Sequence, residues 1–384
     1  MARKKEKIQV NNWIDYSTLF IISFLLIFGL LMIYSTSSYE ATATFGKSTY
    51  FLSRQLRSTL LGIVVMIVAA LLPLKLYEAF AWVAYVASTL LIFAVRIPGL
   101  AYSANGATRW IKIGSITVQP AELCKIGVIM LMAALLCKIG GSRLKNLQSL
   151  MFVFLFPLID CVLIKTVTNN LSSAIIVAGI AVCIFFVSSP EYKKFFLAGI
   201  AGIISIALIV FVVIQIATKT EAGSFRMTRV LAWLNPEAYS ASTGFQTLQA
   251  LYAIGSGGVF GKGLGQSMQK LGTLPEAQND MIFSIICEEL GLFGAIAVML
   301  LFLILIWRLL VIASNASSAF GALLVVGVIS HFAIQVILNI AVVTNTVPNT
   351  GISLPFISYG GSAVICQLAE MGMALSVERN SRSR

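Results

Sequence analysis

The chain has 384 residues, 58% of them hydrophobic and 11% charged, with a mean hydropathy of +0.93. Soluble domains run at about 45–50% apolar and about 25% charged, so a disordered chain, a collagen and a soluble enzyme with one large core are excluded and a multi-span membrane protein remains. The net charge of +12 is scattered through short loops without an aromatic-interleaved basic face, which points to membrane orientation and anionic lipid and to no nucleic acid partner.

Residues 1–15 are polar and carry Arg3, Lys4, Lys5 and Lys7. The apolar run from Tyr16 to Ser35 is too long for a signal-peptide h-region and reads as an uncleaved first span. Further runs cover 58–73, 79–95, 120–137, 149–165, 171–189, 195–217, 281–313, 317–343 and 361–378. The expected fold is all-α and polytopic, with about ten transmembrane helices and a large loop, 218–280, between helices 7 and 8. The segments are then an N-terminal tail, 1–15, a membrane domain, 16–378, and a C-terminal tail, 379–384. With both termini cytoplasmic, fourteen Lys and Arg fall in the short inner segments and twelve in the much longer outer ones, the asymmetry expected of that orientation. Chemistry is therefore expected at the extracytoplasmic face of a cytoplasmic membrane. The six cysteines lie in or beside apolar runs without a CxxC pair, and the lone histidine, His331, excludes a His-based zinc site.

Ionisable residues inside a membrane are costly and mark function by default. In Gln119-Pro120-Ala121-Glu122-Leu123-Cys124-Lys125 the acid and the base share a helical face, either as a self-neutralising pair or as an anion-holding pair. Arg109, before that span, can clamp a phosphate or anchor with Trp110 at the headgroups. In the large loop, Phe225, Arg226 and Arg229 suit a short amphipathic element, and the Gly244–Leu251 stretch, with Gln246, suits re-entry at the membrane surface. Glycines from Gly257 to Gly265 allow backbone to approach a large ligand. Asp280 is either a helix N-cap or a general base at the membrane boundary. Glu288 and Glu289, deeper, need partners such as Lys125 or Arg229. Asp160 lies in the fifth span with no assigned role. The prolines, glycines and hydroxyls of 348–362, Ser358 among them, suggest a broken helix lining a cavity.

Taken together, Gly106-Ala107-Thr108-Arg109-Trp110-Ile111, Gln119-Pro120-Ala121-Glu122 with Lys125, Gly257–Gly265, Leu274-Pro275-Glu276 with Asp280, Glu288-Glu289-Leu290-Gly291 and Leu354-Pro355-Phe356-Ile357-Ser358-Tyr359-Gly360-Gly361-Ser362 resemble the SEDS family (FtsW, RodA and SpoVE) over most of the chain. Gly263–Leu271 leans toward the cell-division branch. Asn169-Asn170-Leu171-Ser172-Ser173 departs from the family's pattern in carrying no acid.

The resemblance implies a peptidoglycan glycosyltransferase that polymerises lipid II, the lipid-linked disaccharide-pentapeptide, by inverting displacement of a lipid pyrophosphate. It implies Asp280 as base and Arg109, Glu122, Lys125, Arg229, Gln246, Glu288 and Ser358 as the substrate-binding set. Lys125 and Arg109 are the expected pyrophosphate contacts, with Glu122 orienting Lys125. A divalent cation, Mg2+ or Mn2+, is the cofactor expected, with no nucleotide or organic cofactor and no metal ligands assigned. Expected partners are a class B penicillin-binding protein, other division proteins and membrane lipid. A lipid II flippase and a non-catalytic division scaffold are the other readings.

Overall fold

The computed structural model describes residues 15–104, 107–114, 116–140, 146–189, 225–241 and 244–382. Its helices are α1 (Tyr16–Phe45), α2 (Tyr50–Leu71), α3 (Leu74–Ala94), α4 (Pro120–Ile139), α5 (Leu147–Val167), α6 (Leu171–Ser188), α7 (Phe225–Leu234), α8 (Phe245–Gly257), α9 (Ile282–Ser314), α10 (Ala319–Val343) and α11 (Gly361–Arg382). Nine expected spans lie on described helices; the run 195–217 falls outside the described residues. Seven of these helices are long and apolar enough to cross a membrane. α4 and α11 are also long, but most of their side chains are buried against other helices, so they can carry ionisable residues that a lipid-facing helix cannot.

Side-chain contacts set the helix directions. Asp15, the N-cap of α1, pairs with Arg308 at 2.7 Å, and Ser35 donates to Glu289 at 2.7 Å. α1 therefore runs antiparallel to α9. Burial works against the charge of Asp15, but the Arg308 guanidinium outweighs it and holds the carboxyl below its ordinary range. α2 and α11 run parallel and close, because Gly62 faces Leu368 and Gly372 faces Met66 without side chains of their own. Ser381 accepts a hydrogen bond from Ser317 N at 3.0 Å. Asp15 and Ser381 thus sit at one end of the bundle, beside the α9–α10 turn.

The opposite end is built from irregular segments. One holds a three-stranded antiparallel sheet, β1 (Ala101–Ala104), β2 (Ala107–Ile113) and β3 (Ile116–Val118), in the order β1-β2-β3. This small sheet lies within 96–119, a stretch between the apolar runs, and leaves the fold predominantly helical. The signal was present in the Asn105-Gly106 pair and the β-branched Ile111, Ile113, Ile116 and Val118.

Two segments dip into the bundle. Leu354, Phe356, Ile357 and Ser358 are buried, and a Cβ at Gly29, midway along α1, would collide with Phe356 O. The loop is extended chain and turns where a broken helix was expected. Gln335, Asn339, Gln367 and Gln55 bond its backbone at Ser353 O, Ile352 O, Phe356 N and Gly360 N. Water is scarce in a bilayer core, so such backbone must be satisfied by protein.

The second is the glycine-rich stretch. α9 breaks at Gly291, with φ 66° and ψ −162°. Lys262 N and Gly263 N donate to the carbonyls of Glu288 and Glu289 at 2.9 Å, and Leu292 N donates to Gly258 O at 3.0 Å. A Cβ at Gly257 or Gly261 would collide with the α9 backbone at Cys287 O or Glu289 O. At Gly257 and Gly261 what the missing side chains admit is the broken helix, whereas Gly258 and Gly265 face open space.

Gly261→Ala and Gly265→Ala separate this contact from backbone strain. Both positions have positive φ, 79° and 82°, a handicap of roughly 1–2 kcal/mol for a residue with a Cβ. Only Gly261 has backbone where the methyl would go. Thermal melting in detergent should fall far more for Gly261→Ala. Equal losses would mean that the loop does not depend on this close approach.

Candidate functional site

Asp280 lies just before α9, at the end of the bundle where the irregular segments meet. It is 9% exposed. Met281, and not Asp280, occupies the N-cap position of α9. Its surroundings come from three directions. Gln246, on α8, donates to Asp280 Oδ1 at 3.5 Å and to Pro275 O at 3.2 Å, and accepts from Asn349 at 2.9 Å. Asn339, on α10, donates to Asp280 O at 2.8 Å. Gly351 faces the carboxylate closely enough that a Cβ there would lie 3.7 Å from Oδ2.

Glu122 and Lys125 do pair, at 2.7 Å, but inside a larger cluster. Lys125 is 1% exposed and also bonds His331 Nε2 at 3.0 Å and Gln335 Oε1 at 3.3 Å. Its three polar neighbours, Glu122, His331 and Gln335, all lie inside the bundle. In this arrangement Lys125 meets the site through its neighbours, Gln335 above all. His331 Nδ1 lies 2.7 Å from Glu370 Oε2. The cluster joins α4, α10 and α11.

Glu288 and Glu289 pair with Lys262 and Lys270, each at 2.7 Å, and not with Lys125. Glu288 also accepts from Met268 N at 3.1 Å and from Ser267 Oγ. Both acids are closed inside the fold and clamp the 262–270 loop onto α9 and α1. Ser358 Oγ accepts from Leu354 N at 2.7 Å and so shapes its own loop. Arg109, on β2, donates to Asn169 O at 3.1 Å, and the neighbouring Ser172 bonds Thr350 O. The sheet thus meets the α5–α6 turn, and it is α6 that meets the loop facing Asp280, so Arg109 is not brought to Asp280 directly. Arg229 lies in α7, and its side chain is outside the described residues. α7 docks on the end of α10 through Trp233 Nε1 and Asn345 O, 3.0 Å apart.

Of the expected set, Asp280 and Gln246 come together, Glu122 and Lys125 come together deeper in the bundle, and Glu288 belongs to a clamp. Sequence reasoning missed His331, Gln335, Asn339 and Glu370. The signal available was a polar residue every fourth position along an apolar run, His331-Gln335-Asn339, which places all three on one helical face. Asp160 accepts from Thr89 at 2.8 Å and ties α5 to α3. All six cysteines are free.

The model of the FtsW, RodA and SpoVE proteins, described as cell cycle proteins, matches residues 16–383. The chain is 36% identical to the stage V sporulation protein E of Bacillus subtilis, over 96% of this chain and 98% of that protein. It is 35% identical to a probable peptidoglycan glycosyltransferase FtsW of Trichlorobacter lovleyi, over 94% of this chain and 92% of that one. Among solved structures, the fold is similar to a chain of a peptidoglycan synthase complex, with TM-score 0.76 at 23% identity, covering 96% of this chain and 98% of that one. It is also similar to the rod-shape-determining protein RodA of Thermus thermophilus, with TM-score 0.67 at 23% identity over 96% and 97%.

Removing one partner from a buried ion pair costs roughly 3–5 kcal/mol, because the other charge is stranded. Lys125→Met should therefore lower the detergent melting temperature sharply. Lys47→Met, at an exposed position, should stay within about 0.5 kcal/mol. Unchanged melting for Lys125→Met would return this lysine to a ligand-contacting role.

Proposed function

This chain belongs to the FtsW/RodA/SpoVE family, and we propose that it is a peptidoglycan glycosyltransferase that polymerises lipid II at the outer face of the bacterial cytoplasmic membrane during division. The observation that carries the reading is the placement of Asp280, a mostly buried carboxylate between α8, α10 and the 350–353 loop. Relatives about a third identical over nearly the whole chain are named probable peptidoglycan glycosyltransferases.

In this mechanism Asp280 takes the proton from the acceptor sugar's 4-hydroxyl as that oxygen attacks the anomeric carbon of the donor. One C–O bond forms, the bond from that carbon to the pyrophosphate oxygen breaks, and the lipid pyrophosphate leaves with the electron pair. A single displacement inverts the donor carbon and needs one base and no covalent enzyme intermediate. Gln246 orients the carboxylate. Arg109, on the sheet against the α5–α6 turn, is the proposed phosphate contact. Among the described residues no group of three His, Cys, Asp or Glu side chains converges into a metal site. A Mg2+ or Mn2+ ion, if bound with the substrate, would neutralise pyrophosphate charge.

The protein is a multi-pass membrane protein. We place both termini in the cytoplasm, from the Lys and Arg density and the shared position of Asp15 and Ser381. The likeness to a chain of a peptidoglycan synthase complex supports a class B penicillin-binding protein as partner, alongside other division proteins.

Two experiments test this reading. Asp280→Asn keeps the side chain's size but cannot accept a proton at neutral pH. Purified Asp280→Asn protein should lose polymerisation by about 10²–10⁴-fold while still binding lipid II; near-normal glycan synthesis would sink the mechanism. For sidedness, a cysteine at exposed Thr273, in a background without the native cysteines, should react with an impermeant reagent in cells with an intact inner membrane. Reaction only after permeabilisation would invert the topology.

A further inference from the structure

His331, Gln335 and Asn339 stand at four-residue spacing on α10 and are buried, so they form one polar stripe on an apolar helix. The stripe begins in the ion cluster. Gln335 Oε1 lies 2.7 Å from His331 Nε2 and accepts from Lys125 at 3.3 Å. With its oxygen held there, the Gln335 amide nitrogen points the other way and donates to Ser353 O at 3.0 Å. One turn further, Asn339 donates to Ile352 O at 2.7 Å and to Asp280 O at 2.8 Å.

Asn339 therefore bonds the main chain on both sides of the site. One bond fixes the residue read as the base. The other fixes the loop whose Gly351 faces that residue's carboxylate. Both acceptors are irregular backbone in a region poor in water, where a carbonyl that loses its donor moves to find another. Gln246 bridges the Asp280 side chain to Asn349, whereas the main-chain separation between base and loop runs through the Asn339 amide, and the Gln335 amide one turn below orients that stretch of loop.

We propose that Asn339, supported by Gln335, is a positioning residue that sets where the Asp280 carboxylate stands against the 350–353 loop. The proposal rests on the reading of Asp280 as general base. Asn339 touches no reacting atom. Its effect reaches the reaction through the backbone of Asp280, so it should alter the catalytic step more than substrate capture.

The test is steady-state polymerisation of labelled lipid II by purified full-length protein, with melting temperature measured on the same samples. Asn339→Ala removes both donors. Its kcat should fall about 10²-fold, the cost of misplacing a catalytic group by about 1 Å, with KM within about twofold of wild type. Asn339→Ser keeps one donor, should fold in any case, and should give an intermediate kcat. A folded variant with wild-type kcat, a loss confined to melting temperature, or a loss carried by KM would overturn the proposal. Asp280→Asn run in parallel keeps the two ideas apart. Full turnover there removes the base and the proposal with it, whereas loss there beside unchanged Asn339 variants removes only the positioning role.

Discussion

Backbone that leaves the helix inside a bilayer must find its hydrogen bonds within the protein, and the active end of this molecule is organised by that demand. α9 breaks at Gly291, and the glycine-rich loop supplies the amides and carbonyls that the break exposes. The 350–360 loop sinks toward Gly29 of α1, and four buried amide side chains meet its backbone. Asp280 lies between these two repairs. Its position follows from how they are made, because Gln246 and Asn339 each hold it while holding a neighbouring segment.

Buried charge sets the register of the helices around that end. Lys125 and Glu122 of α4 meet His331 of α10, which meets Glu370 of α11. Lys270 and Ser35 converge on Glu289, joining loop, α1 and α9. Such clusters contribute little net stability over an apolar core of the same shape, because desolvation offsets much of the attraction. Their consequence is that sliding one helix past another would strand a charge. A site built from irregular backbone needs rigid neighbours, and these clusters supply them.

The sequence made the spans legible because apolar runs of span length have few other uses. It also made Asp280 legible, as an acid where the chain re-enters lipid. Partners were harder to read. Glu288 and Glu289 clearly needed cations, but Lys262 and Lys270 sit in a stretch that reads as an outer loop, and spacing along a loop does not say which residues fold back. The same loop's glycines looked open to ligand because a glycine signals close approach without naming what approaches. His331 and Glu370 lie on separate spans, and no local rule joins them. The Lys125–Glu122 pair was foreseen, whereas its burial depended on α10 and α11 and so was not.

A conduit for lipid II would need a polar interior too, and could use a held carboxylate for proton coupling, but it would form no glycosidic bond. The distinction is chemical, and the wild-type protein can settle it. Purified protein supplied with fluorescent lipid II in detergent or vesicles, with a class B penicillin-binding protein present, should yield glycan strands that a muramidase digests to disaccharide units. Lipid II recovered unpolymerised, with or without transfer across the vesicle membrane, would contradict the assignment of bond-forming chemistry to this fold.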